Sequence, residues 1–125
     1  MALPKVHRLT RRQDFTQVYE KGRRRSSKDL TLRILLPISA TDASPHPSFT
    51  QIGVTVSLKV SKRAVVRNRI KRRILAGLQT LLPDLFPGLK IVVSAKPSVT
   101  QCNYVQILQQ LKQLLIEIEV LNGHS

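Results

Sequence analysis

The chain has 125 residues, a formal net charge of +14, a pI near 11.2 and 42% apolar residues. That length suits one domain with its own core, and that charge points to a polyanion as partner, nucleic acid ahead of an anionic membrane surface. A lone Cys102 excludes an internal disulfide, the scattered His7, His46 and His124 supply no metal cluster, and no apolar run approaches the length of a membrane-spanning helix.

Residues 1–9 read as a flexible basic lead-in. The opening MALPKVHRLTRR has no apolar core of signal-peptide length, so a soluble, intracellular chain is expected. Thr10 stands three residues before Gln13, a capping-box spacing that predicts a helix from about Arg11 to Lys21, with Gly22 suited to its end. Phe15, Val18 and Tyr19 form its apolar stripe. Spacing alone favours core roles for both rings; their place beside Arg23, Arg24 and Arg25 also suits a stacking platform for nucleotide bases. Arg23 to Lys28 reads as a basic turn, either solvated or in contact with phosphate.

From Asp29 to Pro37 apolar residues alternate, with Leu30, Leu32, Ile34 and Leu36 on one side and Thr31, Arg33 and Leu35 on the other, which predicts a half-buried strand. Residues 38–48 read as a loop broken by Pro45 and Pro47. Phe49 to Ser57 alternates again, with Ile52, Val54 and Val56 inward. The two strands are expected to pair antiparallel, leaving an open polar face of Thr31, Arg33, Gln51 and Thr55 as the wall of a groove. Gly53 fits either a ligand's close approach or a bulge.

Between Lys59 and Arg73, eight of the 15 residues are Lys or Arg: Lys59, Lys62, Arg63, Arg67, Arg69, Lys71, Arg72 and Arg73. No acid occurs anywhere from Ala43 to Pro83. Val66, Ile70, Ile74, Gly77 and Leu81 fall at helical spacing, so a helix from Ala64 to about Leu82 buries one face. Asn68, Arg69 and Arg72 project from the opposite side, with Arg67 and Lys71 nearer the stripe. Solvated helices mix charge signs, because like charges four apart repel; one-sided charge on this scale fits polyanion binding. A turn (Pro83 to Leu89), a buried strand (Lys90 to Ala95) and a last helix (about Thr100 to Leu121, stopped by Gly123) complete the chain. Residues 1–73 hold 18 Lys and Arg against four acids, whereas residues 74–125 hold three of each. The first part is the electrostatic surface and the second is scaffold. The order is α-β-β-α-β-α, an α+β fold with a small sheet packed on helices, in a single domain spanning residues 1–125. No carboxylate pair, His-centred triad or metal motif suggests catalytic residues in the protein itself.

The run Arg67-Asn68-Arg69-Ile70-Lys71-Arg72 resembles the signature of the protein subunit of bacterial ribonuclease P. Leu9 with Asp14, Phe15, Val18 and Tyr19 is similar to that family's first helix, Gly53 to Ser57 to the strand before the signature, and Ala95-Lys96-Pro97 to the close of the third strand. The resemblance implies a ribosomal protein S5 domain 2-like fold. It also implies a role in the ribonucleoprotein endonuclease, a hydrolase that removes the 5′ leader of precursor tRNA, with catalysis and Mg²⁺ held mainly by the RNA subunit. The implied partners are that catalytic RNA and precursor tRNA, with no DNA and no membrane, in the cytoplasm. Carried over, Arg67, Asn68, Arg69, Lys71 and Arg72, extended to Lys59, Lys62, Arg63 and Arg73, would contact the catalytic RNA. Phe15, Tyr19, Arg33 and Thr55 would line a cleft for the leader, which reverses the core reading of the two rings, with Arg23, Arg24 and Arg25 as a basic loop beside it. Many relatives carry an aromatic where this chain has Arg33. Two other readings stand beside this one: a ribosomal or general RNA-binding protein with no catalytic partner, and a stand-alone metal-dependent nuclease, against which the missing acidic cluster argues.

Overall fold

The computed structural model describes residues 8–9, 11–36, 50–85 and 88–118. They form α1 (Arg12–Lys21), β1 (Arg23–Ser26), β2 (Leu30–Leu35), β3 (Gln51–Thr55), α2 (Ala64–Leu81), β4 (Lys90–Ala95) and α3 (Tyr104–Ile118), with 3-10 turns at Leu82–Asp84 and Pro97–Gln101. The expected α+β class is the observed one. Residues 1–7, the expected loop 38–48, Thr10 and Gly123 lie outside the described residues.

The four strands lie in the order β1-β2-β4-β3. Strand β4 is antiparallel to β2 and parallel to β3. The expected direct pairing of the second and third strands is therefore corrected: β4 sits between them. The reason lies in its side chains. Ile91, Val92 and Val93 are all fully buried, so β4 must be covered on both faces, and a central position provides that. Ile91 and Val93 join Leu30, Leu32, Ile34, Ile52 and Val54 against Ile70, Ile74 and Leu78 of α2 and Ile107, Leu111 and Leu115 of α3. Val92 points the other way, into a smaller cluster with Leu9 and Val18, flanked by Phe15 and Leu35. Helices α2 and α3 thus cover one face of the sheet and α1 part of the other.

A second correction concerns Arg23 to Lys28. Its first four residues are not a turn but the edge strand β1, registered Arg23 to Ile34, Arg24 to Arg33, Arg25 to Leu32 and Ser26 to Thr31. These residues show no apolar alternation, so periodicity carries no signal for them. The pairing follows from the tight return through Ser27, whose N–H donates to Leu30 O at 2.8 Å. Arginine on an edge strand also discourages pairing with another chain.

Residues 8 and 9 are not part of a flexible lead-in. Leu9 N–H donates to Ile52 O at 2.9 Å, and Arg8 bridges Ile52 in parallel, so residues 8–9 extend the sheet beyond β3. The N-cap of α1 is Arg11, with no side-chain capping bond, in place of the expected Thr10. Gly22 follows the helix as expected. A Cβ there would run into Val18 O and lie 3.0 Å from Ile34 O, so the close approach of helix end and strand requires glycine. Helix α3 starts at Tyr104, not near Thr100, because Pro97–Gln101 forms a 3-10 turn. Its true cap is a reciprocal pair: Gln106 N–H donates to Asn103 Oδ1 and Asn103 N–H to Gln106 Oε1, both at 2.9 Å.

Candidate nucleic-acid interface

Residues directly opposite one another in a sheet share a face, so the register arranges the α1 side of the sheet in rows. One row runs Arg24, Arg33, Val92, Gly53. Helix α1 crosses the strands above this row. Phe15 lies over Gly53, where a Cβ would come within 2.6 Å of the ring. Val18 packs against Val92, and the Arg33 guanidinium sits 4.5 Å from the centroid of the Tyr19 ring. Lys90 Nζ holds Asp14 Oδ1 at 2.8 Å and fastens the helix to β4. Gly53 therefore marks neither a bulge nor an open approach; the ring of Phe15 occupies the space. Phe15 is half-buried, whereas Tyr19 keeps 46% of its surface exposed.

The next row is made of hydroxyls: Ser26, Thr31, Ser94 and Thr55. Thr55 Oγ1 donates to Ser94 Oγ at 2.9 Å, and Ser26 and Thr31 share a bond of 3.3 Å. None of the four bonds to an α1 side chain, so they form a neutral polar floor beside the helix. At the β3 end this floor opens into a cleft of about 330 Å³ lined by Val54, Thr55, Val56, Ser57, Arg67, Asn68 and Lys71. Here the sheet face and the basic helix meet.

Helix α2 has the expected amphipathic form. Ile70, Ile74, Gly77, Leu78 and Leu81 are buried and Val66 half-buried, while Asn68, Arg69, Lys71 and Arg72 are exposed. Lys59, Lys62 and Arg63, on the segment leading into the helix, are exposed as well. The first turn holds no acid, and no side chain caps Arg63 at the N-cap. Cations crowd the positive end of the helix dipole, an arrangement that disfavours the bare helix and favours an anion there. Two arginines of the set are committed to backbone carbonyls: Arg67 Nη1 donates to Ser61 O at 2.9 Å and Arg73 Nη1 to Cys102 O at 3.0 Å. Both are half-buried. On β1, Arg23 Nη1 reaches Ile118 O at 3.4 Å and Arg25 Nη1 bonds to Arg24 O at 3.0 Å, while Arg24 itself is exposed. The structure thus brings Thr55 to Arg67, Asn68 and Lys71, and Tyr19 to Arg33. Arg23, Arg24 and Arg25 lie at the far edge of the sheet. Ser26, Ser94 and the Arg24–Arg33 pairing escaped sequence reasoning, because the β1–β2 register pairs the arginines and places Ser26, and the register through β4 places Ser94.

A buried polar cluster ties β2 to α3. Asp29 Oδ2 accepts from Gln110 Nε2 at 2.7 Å and from the Cys102 thiol at 2.9 Å. Burial pushes the Asp29 carboxyl up, but bonds from Cys102, Ser98 and Gln110 and the charge of Lys28 outweigh it and hold it below its ordinary value. Burial first, then the bond and charge of Asp29, raise the Cys102 thiol to about 11. It stays protonated at neutral pH, a donor rather than a nucleophile. Among the described residues no group of three or more His, Cys, Asp or Glu could hold a metal ion, and no helix is long and apolar enough to cross a membrane.

Known proteins resemble this chain in sequence and in fold. The family model described as Ribonuclease P matches residues 3–119. The "Ribonuclease P protein component" of Trichormus variabilis is 51% identical over the full length of both chains. That of Rippkaea orientalis is 45% identical, covering 100% of this chain and 96% of its own. Among solved structures, the ribonuclease P protein of Staphylococcus aureus superposes with a TM-score of 0.76 at 23% identity, covering 93% of this chain and 98% of that one. The protein from Thermotoga maritima gives 0.73 at 20% identity, covering 90% and 97%; both structures bear on the fold alone. With a full-length relative at 51% identity and a family match over residues 3–119, this chain belongs to the ribonuclease P protein family.

Proposed function

We propose that this chain is the protein component of a ribonuclease P ribonucleoprotein, in which it binds the catalytic RNA and guides the 5′ leader of precursor tRNA during leader removal. The exposed cations of α2, with Lys59, Lys62 and Arg63 before it, bind the RNA subunit through phosphates, and their binding releases counterions. The groove between α1 and the hydroxyl row takes the single-stranded leader. Phe15 and Tyr19 supply stacking surfaces that tolerate any base, and Ser94 and Thr55 supply neutral hydrogen-bonding groups that add no sequence code. The observation that most supports this reading is the cleft where Thr55 meets Arg67, Asn68 and Lys71, since one RNA-bound helix and one strand-holding groove there become a continuous surface.

Hydrolysis belongs to the RNA subunit in this reading. In the same reading the Mg²⁺ ions are held mainly by the RNA subunit, and the protein's part is binding and positioning. The working compartment is the cytoplasm. The test is cleavage of precursor tRNA by a bacterial catalytic RNA at low Mg²⁺, with and without the protein. Strong protein-dependent formation of the mature 5′ end supports the proposal. RNA binding with no stimulation favours a general RNA-binding protein, and chelator-sensitive cleavage by the protein alone favours a stand-alone nuclease.

A further inference from the structure

We infer that Arg24 and Arg33 form a phosphate clamp at the β1 end of the groove and grip the leader at a point farther from the cleavage site than Phe15. The inference rests on the leader-groove reading above and adds to it a second anchor and a direction.

The two arginines are directly opposed in the β1–β2 register. Their Cβ atoms are therefore about 5 Å apart on one face, where like charges destabilise each other. Among the described residues neither meets a carboxylate: Arg33 stacks on Tyr19, and the Arg24 side chain is exposed with no partner. An anion between them removes the repulsion. The Tyr19 ring also holds the Arg33 guanidinium in place, its carbon 4.5 Å from the ring centroid, and the planar fork of a guanidinium matches two phosphate oxygens.

Position gives the clamp its role. The α2 cations line the cleft at the β3 end, beside Thr55. Arg24 and Arg33 stand on the two strands at the other end of the sheet order. Beside the arginine pair the uncharged row of Ser26, Thr31, Ser94 and Thr55 runs across the sheet to the cleft, so charge is concentrated at the ends of a path about 14 Å long, three strand spacings. A strand crossing this path has its phosphates held at both ends and its bases over the aromatic flank in between. Because α2 faces the RNA subunit that contains the cleavage centre, the β3 end is proximal and the β1 end distal.

The test uses the reconstituted ribonucleoprotein and precursor tRNAs whose leaders lengthen one nucleotide at a time. Three proteins are compared: wild type, Arg24→Ala with Arg33→Ala, and Phe15→Ala. Wild type should gain affinity in two stages as the leader first reaches Phe15 and later reaches β1. The double variant should match wild type on short leaders, lose about tenfold on long ones, and show a salt dependence shallower by about 0.7 per lost phosphate contact. Arg33→Lys, which keeps the charge without the stacked fork, should recover only part of the loss. A double variant that keeps the second gain overturns the clamp. If in that case Phe15→Ala still loses the first gain, the groove reading survives; if Phe15→Ala also binds every leader like wild type, the groove reading falls too.

Discussion

Replacing Gly53 by alanine probes the contact that seats α1 on the sheet. The added Cβ would lie 2.6 and 2.7 Å from two atoms of the Phe15 ring. Ordinary carbon contacts lie near 3.5–4.0 Å, so the ring must retreat by about 1 Å. Overpacking of this kind costs about 1–3 kcal/mol, and alanine returns about 0.5–1 kcal/mol by restricting the unfolded chain. The expected net loss is about 0–2.5 kcal/mol, measured by urea unfolding of the full chain followed by circular dichroism. The decisive comparison repeats the change in a Phe15→Ala background. With the ring gone, Gly53→Ala should be neutral or stabilising, giving a coupling energy of about 1–3 kcal/mol in the double-mutant cycle. Equal destabilisation in both backgrounds would refute the reasoning, because Gly53 would then be needed for something other than the ring. The same displacement moves Phe15 relative to the groove, so Gly53→Ala should weaken leader-dependent binding in the ribonucleoprotein while leaving affinity for the catalytic RNA unchanged.

Arg69→Ala with Arg72→Ala removes two exposed cations from α2; affinity for the catalytic RNA should fall and its log–log salt slope should shallow by about 1.8, and an unchanged slope in the folded variant would remove this face from the RNA interface. Asp29 has a carboxyl held below its ordinary 3.8. Between its folded value and 3.8 the unfolded chain binds the extra proton, so the stabilisation is present above 3.8 and is lost as pH falls through the lower folded value. Urea midpoints taken from pH 5 to pH 3 should therefore drop more for wild type than for Asp29→Asn, and parallel drops would show that the cluster does not carry this linkage.

How much of this was legible in the sequence varies by element. The basic helix was, because Ile70, Ile74, Gly77 and Leu81 repeat at helical period and leave the arginines a single outward face. The strands β2 and β4 were legible as strands, the first from its alternation and the second from its β-branched run. The edge strand was not, because Arg23, Arg24 and Arg25 have no apolar partner face and pair only through β2. Nor was the N-cap of α3, since Pro97–Gln101 continues a helical pattern that only hydrogen bonding distinguishes as 3-10. The aromatic pair was ambiguous in the sequence and divides in the structure: Phe15 packs on Gly53 and stays half-buried, while Tyr19 remains largely open with Arg33 over its ring.

What the sequence determined by itself is the local and the periodic: which segments are amphipathic, where the charge lies, and which family the motifs resemble. These follow from side-chain spacing and formal charge, which need no partner to be read. What the tertiary structure decided is every relation that runs across strands. The return from β1 to β2 sets Arg24 beside Arg33 and Ser26 beside Thr31, and placing β4 between β2 and β3 extends the second row to Ser94 and Thr55. The physical reason is that strand order depends on which side chains must be covered on both faces at once. That requirement belongs to the assembled sheet and to no single segment of it.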